Sequence, residues 1–323
     1  MKRNVYINCK LNIYTGLRLL SNKYFNFLDT SRVNRYELEK DTIIIEDGTS
    51  YGTDFNGSVS LQRRNEMFNA FKHFNINCPY TLIPENIDYL TSYIRGYINA
   101  GKNLPKEDDL VAIRTLPDSA RGIGNMVVPF KKVEKLLSLI TESSVEKLTE
   151  KDLRVLLEKN DFKREHYGLC YTEDDEYHLD DALLRRRIFM QEVIDVFKEY
   201  RLYWHAGMKS IDELLIVERV DYGLNVDGKL MIEKGKGTLK DFFKKEHLTS
   251  STTADIKDTL NKVMKLFNKV RYLAGSIDLY TSCSGEVGCF EISGEFVMDG
   301  CTNDEMFHFT ENLNKYVFEY KKD

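Results

Sequence analysis

Apolar positions along the chain fall into short β-branched runs and longer stretches with helical spacing. Thr42-Ile43-Ile44-Ile45-Glu46, closed by Asp47-Gly48, predicts a buried strand and turn. Residues 61–74 have a helical pattern that Asn77-Cys78-Pro79 stops, and a second helix is expected after Pro84 through Tyr93 to Ala100, with Gly101 as its C-cap. Leu110 to Arg114 reads as a strand, 117–124 as a glycine-punctuated loop, 126–128 as a strand and 131–140 as a helix. The stretch 141–177 is more polar, with one helix expected at 150–158. Strands are expected at 187–194, 200–205 and 214–219. Ile256, Leu260, Val263, Phe267 and Val270 advance by four, three, four and three, which predicts an amphipathic helix over 255–273, capped by Thr252 and ended at Gly275. Residues 276–279 and 287–292 predict paired strands, and Met306, Phe309, Leu313, Val317 and Tyr320 a final helix. Strands and helices interleave irregularly, so the expected class is α+β.

Composition narrows the function classes. The 323 residues are about twice the usual domain length, and 42% are apolar, enough for a core and against global disorder. Lys and Arg number 46 against 51 Asp and Glu, a net charge of −5, which gives no bulk attraction to nucleic acid or an anionic membrane. Residues 1–10 show no secretory pattern, and no run approaches the roughly 18 apolar residues of a membrane helix. The six cysteines are scattered with no C-x-x-C pair, so reduced thiols and a cytoplasmic location are expected.

Three stretches carry candidate chemistry. In the first, a strand ends in Arg114, and Ser119, Arg121, Gly122 and Gly124 follow in a small-residue loop whose amides can approach an anion; a plain hairpin is the alternative. In the second, the edge of Gln191-Glu192-Val193-Ile194 can pair with an adenine, Glu199 can accept from ribose hydroxyls and Arg201 can meet phosphate; a charged, solvent-facing hairpin is the alternative. The third sets Asp278 and Glu291 within apolar strands, where a buried carboxylate needs a cation: Arg219, or Mg²⁺ held with nucleotide phosphates, unless strand alternation turns either acid outward. Other features have plainer readings. The acidic 173–176 and basic 185–187 runs read as solvated charge, Trp204 as packing with His205 a lesser candidate base, and Phe71 to Phe74 with Tyr89 and Tyr93 as core.

Taken in order, these stretches resemble the ATP-grasp superfamily from about 77 to 300. Cys78-Pro79-Tyr80-Thr81 resembles part of the family's G-[IV]-P-x-P-x-T entry, Arg114 stands at its phosphate-binding lysine, and 119–124 resembles its flap. Gln191 to Ile194 is similar to the adenine hinge, Glu199 falls at the ribose carboxylate, Arg201 matches the [DE]-x-R arginine and Arg219 a later substrate or phosphate arginine. Asp278 and Glu291 match the two metal-binding acids, and Ser293 stands where the family has Asn, a weaker Mg²⁺ donor. Arginine for lysine at 114 keeps the charge, and the 140–185 segment exceeds the simple family pattern.

The resemblance implies an ATP-grasp fold of two α+β sub-domains, 85–190 (with flap 115–124) and 191–323, sandwiching a nucleotide after a small N-terminal α/β domain at 1–84. It implies ATP and Mg²⁺, and a ligase that joins a carboxylate to an amine through an acylphosphate with release of ADP and phosphate. The nearest branch is the one that includes ribosomal-protein glutamate ligases. A small-molecule kinase on the same fold and a catalytically decayed scaffold are the alternatives, Ser293 favouring the last. No membrane or nucleic-acid partner is expected, and the two substrates and the oligomeric state stay open.

Overall fold

The computed structural model describes residues 1–8, 19–29, 31–46, 52–56, 64–82, 89–103, 105–114, 125–142, 147–149, 155–156, 158–162, 167–168, 178–180, 189–225, 228–294 and 298–321. Its contacts divide the chain into two units, one of Met1–Cys78, Asp195–Val220 and Ile232–Asp323, the other of Pro79–Ile194 and Asp221–Met231.

The first unit begins with a parallel sheet of β1 (Arg3–Asn8), β2 (Phe25–Leu28), β3 (Ile43–Glu46) and β4 (Phe55–Asn56) in the order β2-β1-β3-β4. Val5, Phe25, Ile43, Ile45 and Phe55 are buried, which is why the β-branched run at 43–45 forms a strand. Helix α1 (Arg64–His73) buries Met67, Phe68 and Phe71 on one face.

The second unit carries an antiparallel sheet. Its strands are β5 (Thr81–Leu82), β6 (Leu110–Arg114), β7 (Asn125–Pro129), β9 (Tyr167–Gly168) and β11 (Phe189–Glu192), in the order β5-β11-β6-β7-β9. A separate pair joins β8 (Lys147–Thr149) to β10 (His178–Asp180). Helix α2 (Tyr89–Asn99) ends at Gly101, whose φ of +74° and bond to the Ile98 carbonyl make the expected C-cap; α3 (Val133–Glu142) buries Val133, Leu136 and Leu137.

The sheet that matters for the site is five-stranded, ordered β14-β13-β12-β15-β16: β12 (Val196–His205), β13 (Leu215–Asn225), β14 (Gly228–Thr238), β15 (Ala274–Ser282) and β16 (Val287–Ser293). Alternate residues of β12 split between its two faces. Tyr200 packs edge-on to Phe242 of α4 (Leu239–Lys245), and Trp204 stacks on Phe267 of α5 (Ser250–Lys269). On the other face Tyr203, Leu215 and Val217 join Val5, Ile43, Ile45 and Phe309, Leu313 and Val317 of α6 (Asn303–Glu319) in one core.

Helix α5 corrects two expectations. Its cap is Thr249, whose hydroxyl accepts the Thr252 amide at 3.1 Å, so the helix starts before the apolar stripe does. It ends at Lys269, with Arg271 in the left-handed region; Gly275 is not its terminator but a residue of β15. A Cβ at 275 would lie 2.9 Å from the Ser293 carbonyl oxygen, so the glycine there serves strand approach. The helix expected at 150–158 lies mostly outside the described residues. Among the described residues, no helix is long and apolar enough to cross a membrane.

Candidate active site

The registers of the five-stranded sheet place the candidate residues in adjacent rows. One row runs Val217, Arg201, Asp278, Glu291 across β13, β12, β15 and β16; the next runs Leu215, Tyr203, Ser276, Ser293. A third sets Arg219 opposite Glu199 and Glu199 opposite Tyr280. Side chains two apart along a strand share a face, so Glu199, Arg201, Arg219, Asp278, Glu291 and Ser293 belong to one side of the sheet. Strand alternation thus turns Asp278 inward, to 7% exposure.

Arg201 spans its carboxylate neighbours. Its Nε donates to Asp278 Oδ1 at 2.7 Å and its Nη2 to Oδ2 at 2.8 Å, a two-pronged contact, while Nη1 reaches Glu233 Oε1 at 3.3 Å. Arg219 Nη1 donates to Asp278 Oδ2 at 3.0 Å and also to Glu199, and its Nε stands 3.5 Å from Glu233. Tyr203 donates its hydroxyl to Glu233 Oε2 at 3.0 Å. The cation that buried Asp278 needs is therefore supplied by both arginines. Among the described residues, no group of three or more His, Cys, Asp or Glu side chains is placed to hold a metal; Asp278 and Glu291 form a pair.

Burial and charge oppose each other here. Burial disfavours the Arg201 charge, but the hydrogen bonds and charge of Asp278, with Glu233, outweigh it and hold the guanidinium above its ordinary value. Burial pushes the Glu233 carboxyl up against the pull of Arg201 and the Tyr203 hydroxyl, and the Tyr203 phenol is raised by burial and by Glu233. Across Arg201, Arg219, Glu199, Glu233, Asp278 and Glu291, two positive groups face four carboxylates.

In the second unit the expected hinge is braced by its own side chains. Glu192 accepts from the Tyr80 amide at 2.7 Å and from Lys102 Nζ at 2.6 Å on both oxygens, and Gln191 Nε2 donates to Thr81 Oγ1 at 2.8 Å. The Glu192 amide is already bonded to the Tyr80 carbonyl at 3.0 Å, which leaves the edge that follows at Val193 and Ile194. Arg114 ends β6 opposite Phe189 of β11; its side chain and Ser119, Arg121, Gly122 and Gly124 lie outside the described residues, as do 173–176 and 185–187. His205 is a core residue rather than a base. It is 3% exposed, accepts the Gly207 amide at Nδ1 (3.0 Å) and meets Phe309 edge-on; burial pushes its pKa down to about 4.

Sequence reasoning did not single out Glu233, Tyr203 or Lys102. Glu233 lies in Glu-Lys-Gly-Lys-Gly, which has the look of solvated charge, and only the pairing of β14 brings it to the arginines. Lys102 follows a helix C-cap and carried no spacing signal.

At the level of sequence, no family model and no curated protein matches the chain. Solved structures do. The D-Ala:D-Ser ligase VanG of Enterococcus faecalis superposes over 98% of this chain and 99% of its own, at 11% identity and a TM-score of 0.52. D-alanyl-alanine synthetase A of Vibrio cholerae superposes over 98% and 97%, at 8% identity and 0.51. The ATP-grasp ligase PsnB, complexed with a minimal precursor, superposes over 97% and 98%, at 10% identity and 0.50. These likenesses span both chains almost end to end, and the chain has the ATP-grasp fold.

Proposed function

We propose that the chain is an ATP-dependent ligase that joins a carboxylate to an amine. The observation that carries this reading is the convergence of Arg201 and, from the neighbouring row, Arg219 on Asp278, directly across β15 and β16 from Glu291, within an ATP-grasp fold. The solved structures described as ligases support the reaction class.

The donor set fits Mg²⁺. Asp278, Glu291 and Ser293 are all oxygen donors at neighbouring register positions, and Asp278 accepts three bonds from the arginines out of the roughly four its carboxylate can take. Bound there, the ion would neutralise charge on the terminal phosphates of ATP. Arg201 and Arg219 would stabilise the transferring phosphoryl group, Val193 and Ile194 would hold the adenine on a hinge braced by Gln191 and Glu192, and Glu199 would hold the ribose. Arg114, Ser119, Arg121, Gly122 and Gly124 would cover the phosphates. A substrate carboxylate attacks the γ-phosphorus and the bond to the ADP oxygen breaks; an amine then attacks the acylphosphate carbon, and phosphate leaves with the electron pair of its C–O bond. The protein's part is orientation and charge stabilisation.

The test is ADP release across a panel of amino acids and peptides. Release that requires both a carboxylate and an amine supports the ligase, and Arg201→Lys lowers kcat/KM by about 10²–10³. A stable phosphorylated product with no need for an amine makes it a kinase. No thermal shift with ATP and Mg²⁺, together with no effect of Asp278→Ala or Glu291→Ala, makes it a decayed scaffold.

A further inference from the structure

The Nε and Nη2 edge of Arg201, one of the two arginines expected to receive phosphate, is already taken by Asp278. A guanidinium has five N–H groups, and three from Arg201 already point at carboxylate oxygens: Nε and Nη2 at Asp278 and Nη1 at Glu233. Arg219 Nη1 is shared between Glu199 and Asp278, with its Nε near Glu233. The edge of a guanidinium that grips a carboxylate with two bonds is the same edge that grips a phosphoryl group. A phosphate arriving at that edge of Arg201 must therefore displace a group of its own sign.

Asp278 and Glu233 differ in one respect. Asp278 faces Glu291 across β15 and β16, where a cation can take up its charge; Glu233 comes from β14 and is not part of that cross-strand pair. It is also pinned. Tyr203 donates to it, and its backbone is wedged by Gly300, where a Cβ would come within 2.8 Å of the Glu233 carbonyl oxygen.

We propose that Asp278 and Glu233 act as internal competitors for Arg201 and Arg219, and that Glu233 is a positioning residue that makes nucleotide binding depend on the divalent cation. With Asp278 bonded to both arginines, the Nε and Nη2 edge of Arg201 is occupied, and the pair has little affinity for metal-free polyphosphate. When the charge of Asp278 is taken up by a cation, the Nε and Nη2 edge of Arg201 becomes available to phosphate, while Glu233 still holds Nη1 and fixes the orientation of the fork. This rests on the nucleotide reading above.

Isothermal titration of the full chain with ATP, in EDTA and in excess Mg²⁺, tests it. Wild type should bind ATP weakly in EDTA and far more tightly with Mg²⁺. Glu233→Gln should bind ATP in EDTA about tenfold more tightly than wild type, since one charged competitor is gone, and stay within about threefold of it in Mg²⁺. Asp278→Asn should change in opposite directions, tighter in EDTA and weaker in Mg²⁺. Structural damage alone weakens binding under both conditions, so a gain in EDTA is specific to competition. If Glu233→Gln does not fold, judged by the fluorescence of Trp204, the opposed signs for Asp278→Asn decide the matter. Unchanged or weaker binding by the variants in EDTA, with ATP binding to wild type intact, overturns the competition and leaves the nucleotide reading standing. No binding of ATP to wild type in either condition overturns both.

Discussion

Removing either partner of the Arg201–Asp278 contact should cost far more than its share of the pair. In Asp278→Ala the two guanidinia, with side chains 23% and 17% exposed, lose the acceptor to which both donate, and Arg201 keeps only the 3.3 Å contact to Glu233. In Arg201→Met, Asp278 keeps only Arg219. Breaking a buried pair costs about 3–5 kcal/mol, and because partners remain on both sides each single change should fall near 3 kcal/mol. Arg201→Met should be the costlier: among Arg201, Arg219, Glu199, Glu233 and Asp278 it leaves one positive group against three negative, whereas Asp278→Ala leaves two against two. The double variant leaves one against two, the same surplus as wild type, and should cost about 3–4 kcal/mol in total, much of it the lost packing of the arginine stem. The interaction energy is then about 2–3 kcal/mol. Urea unfolding followed through Trp204, the one tryptophan in the chain, reads this directly, because Trp204 lies on β12 three residues from Arg201. An interaction energy below about 0.5 kcal/mol, the level at which independent sites add, would refute the reasoning.

Three further outcomes follow from the structure. His205 has its pKa pushed down from 6.5 to about 4 by burial, so the unfolded chain takes up its proton first; stability should fall from about pH 6.5 to pH 4 by about 3 kcal/mol, and parallel unfolding curves for wild type and His205→Gln over that range would contradict it. Gly275→Ala forces a Cβ to within 2.9 Å of the Ser293 carbonyl oxygen and should destabilise by about 1–3 kcal/mol in urea unfolding; a neutral effect would show that β15 and β16 can part at no cost. Helix α6 opens with a capping box in which Thr302 accepts the Glu305 amide at 3.2 Å and Glu305 accepts the Thr302 amide at 2.7 Å, so Thr302→Ala should cost about 1 kcal/mol by the same measurement.

Much of the fold was legible because its signals are local. The strand at Leu110–Arg114, the glycine end of α2 and the pairing of 276–279 with 287–292 follow from β-branched runs, a left-handed glycine and alternation. The start of α5 was not, because its first turn, Ser250 to Thr253, has no apolar residue to register a period, and the run from Thr249 to Thr253 offers several hydroxyls as caps. Strand β14 was invisible for a related reason: Glu233-Lys234-Gly235-Lys236-Gly237 has charges and glycines where a strand usually shows branched side chains. The candidate acids and arginines could be named one by one from the sequence, but that Asp278 binds both Arg201 and Arg219 is a fact of register between strands some 60 to 80 residues apart, which no local window holds.

The two-sided character of β12 bears on how this chain can tolerate change in length. Odd-numbered Glu199, Arg201 and Tyr203 serve the polar network, while even-numbered Tyr200 and Trp204 pack against α4 and α5. Insertion or deletion of a single codon within 199–204 would exchange these roles downstream, setting a guanidinium against the aromatic helices and an indole among carboxylates. Substitutions on either face can be absorbed separately. A length change there damages both at once, so this short segment should be among the least permissive to insertions and deletions in the molecule.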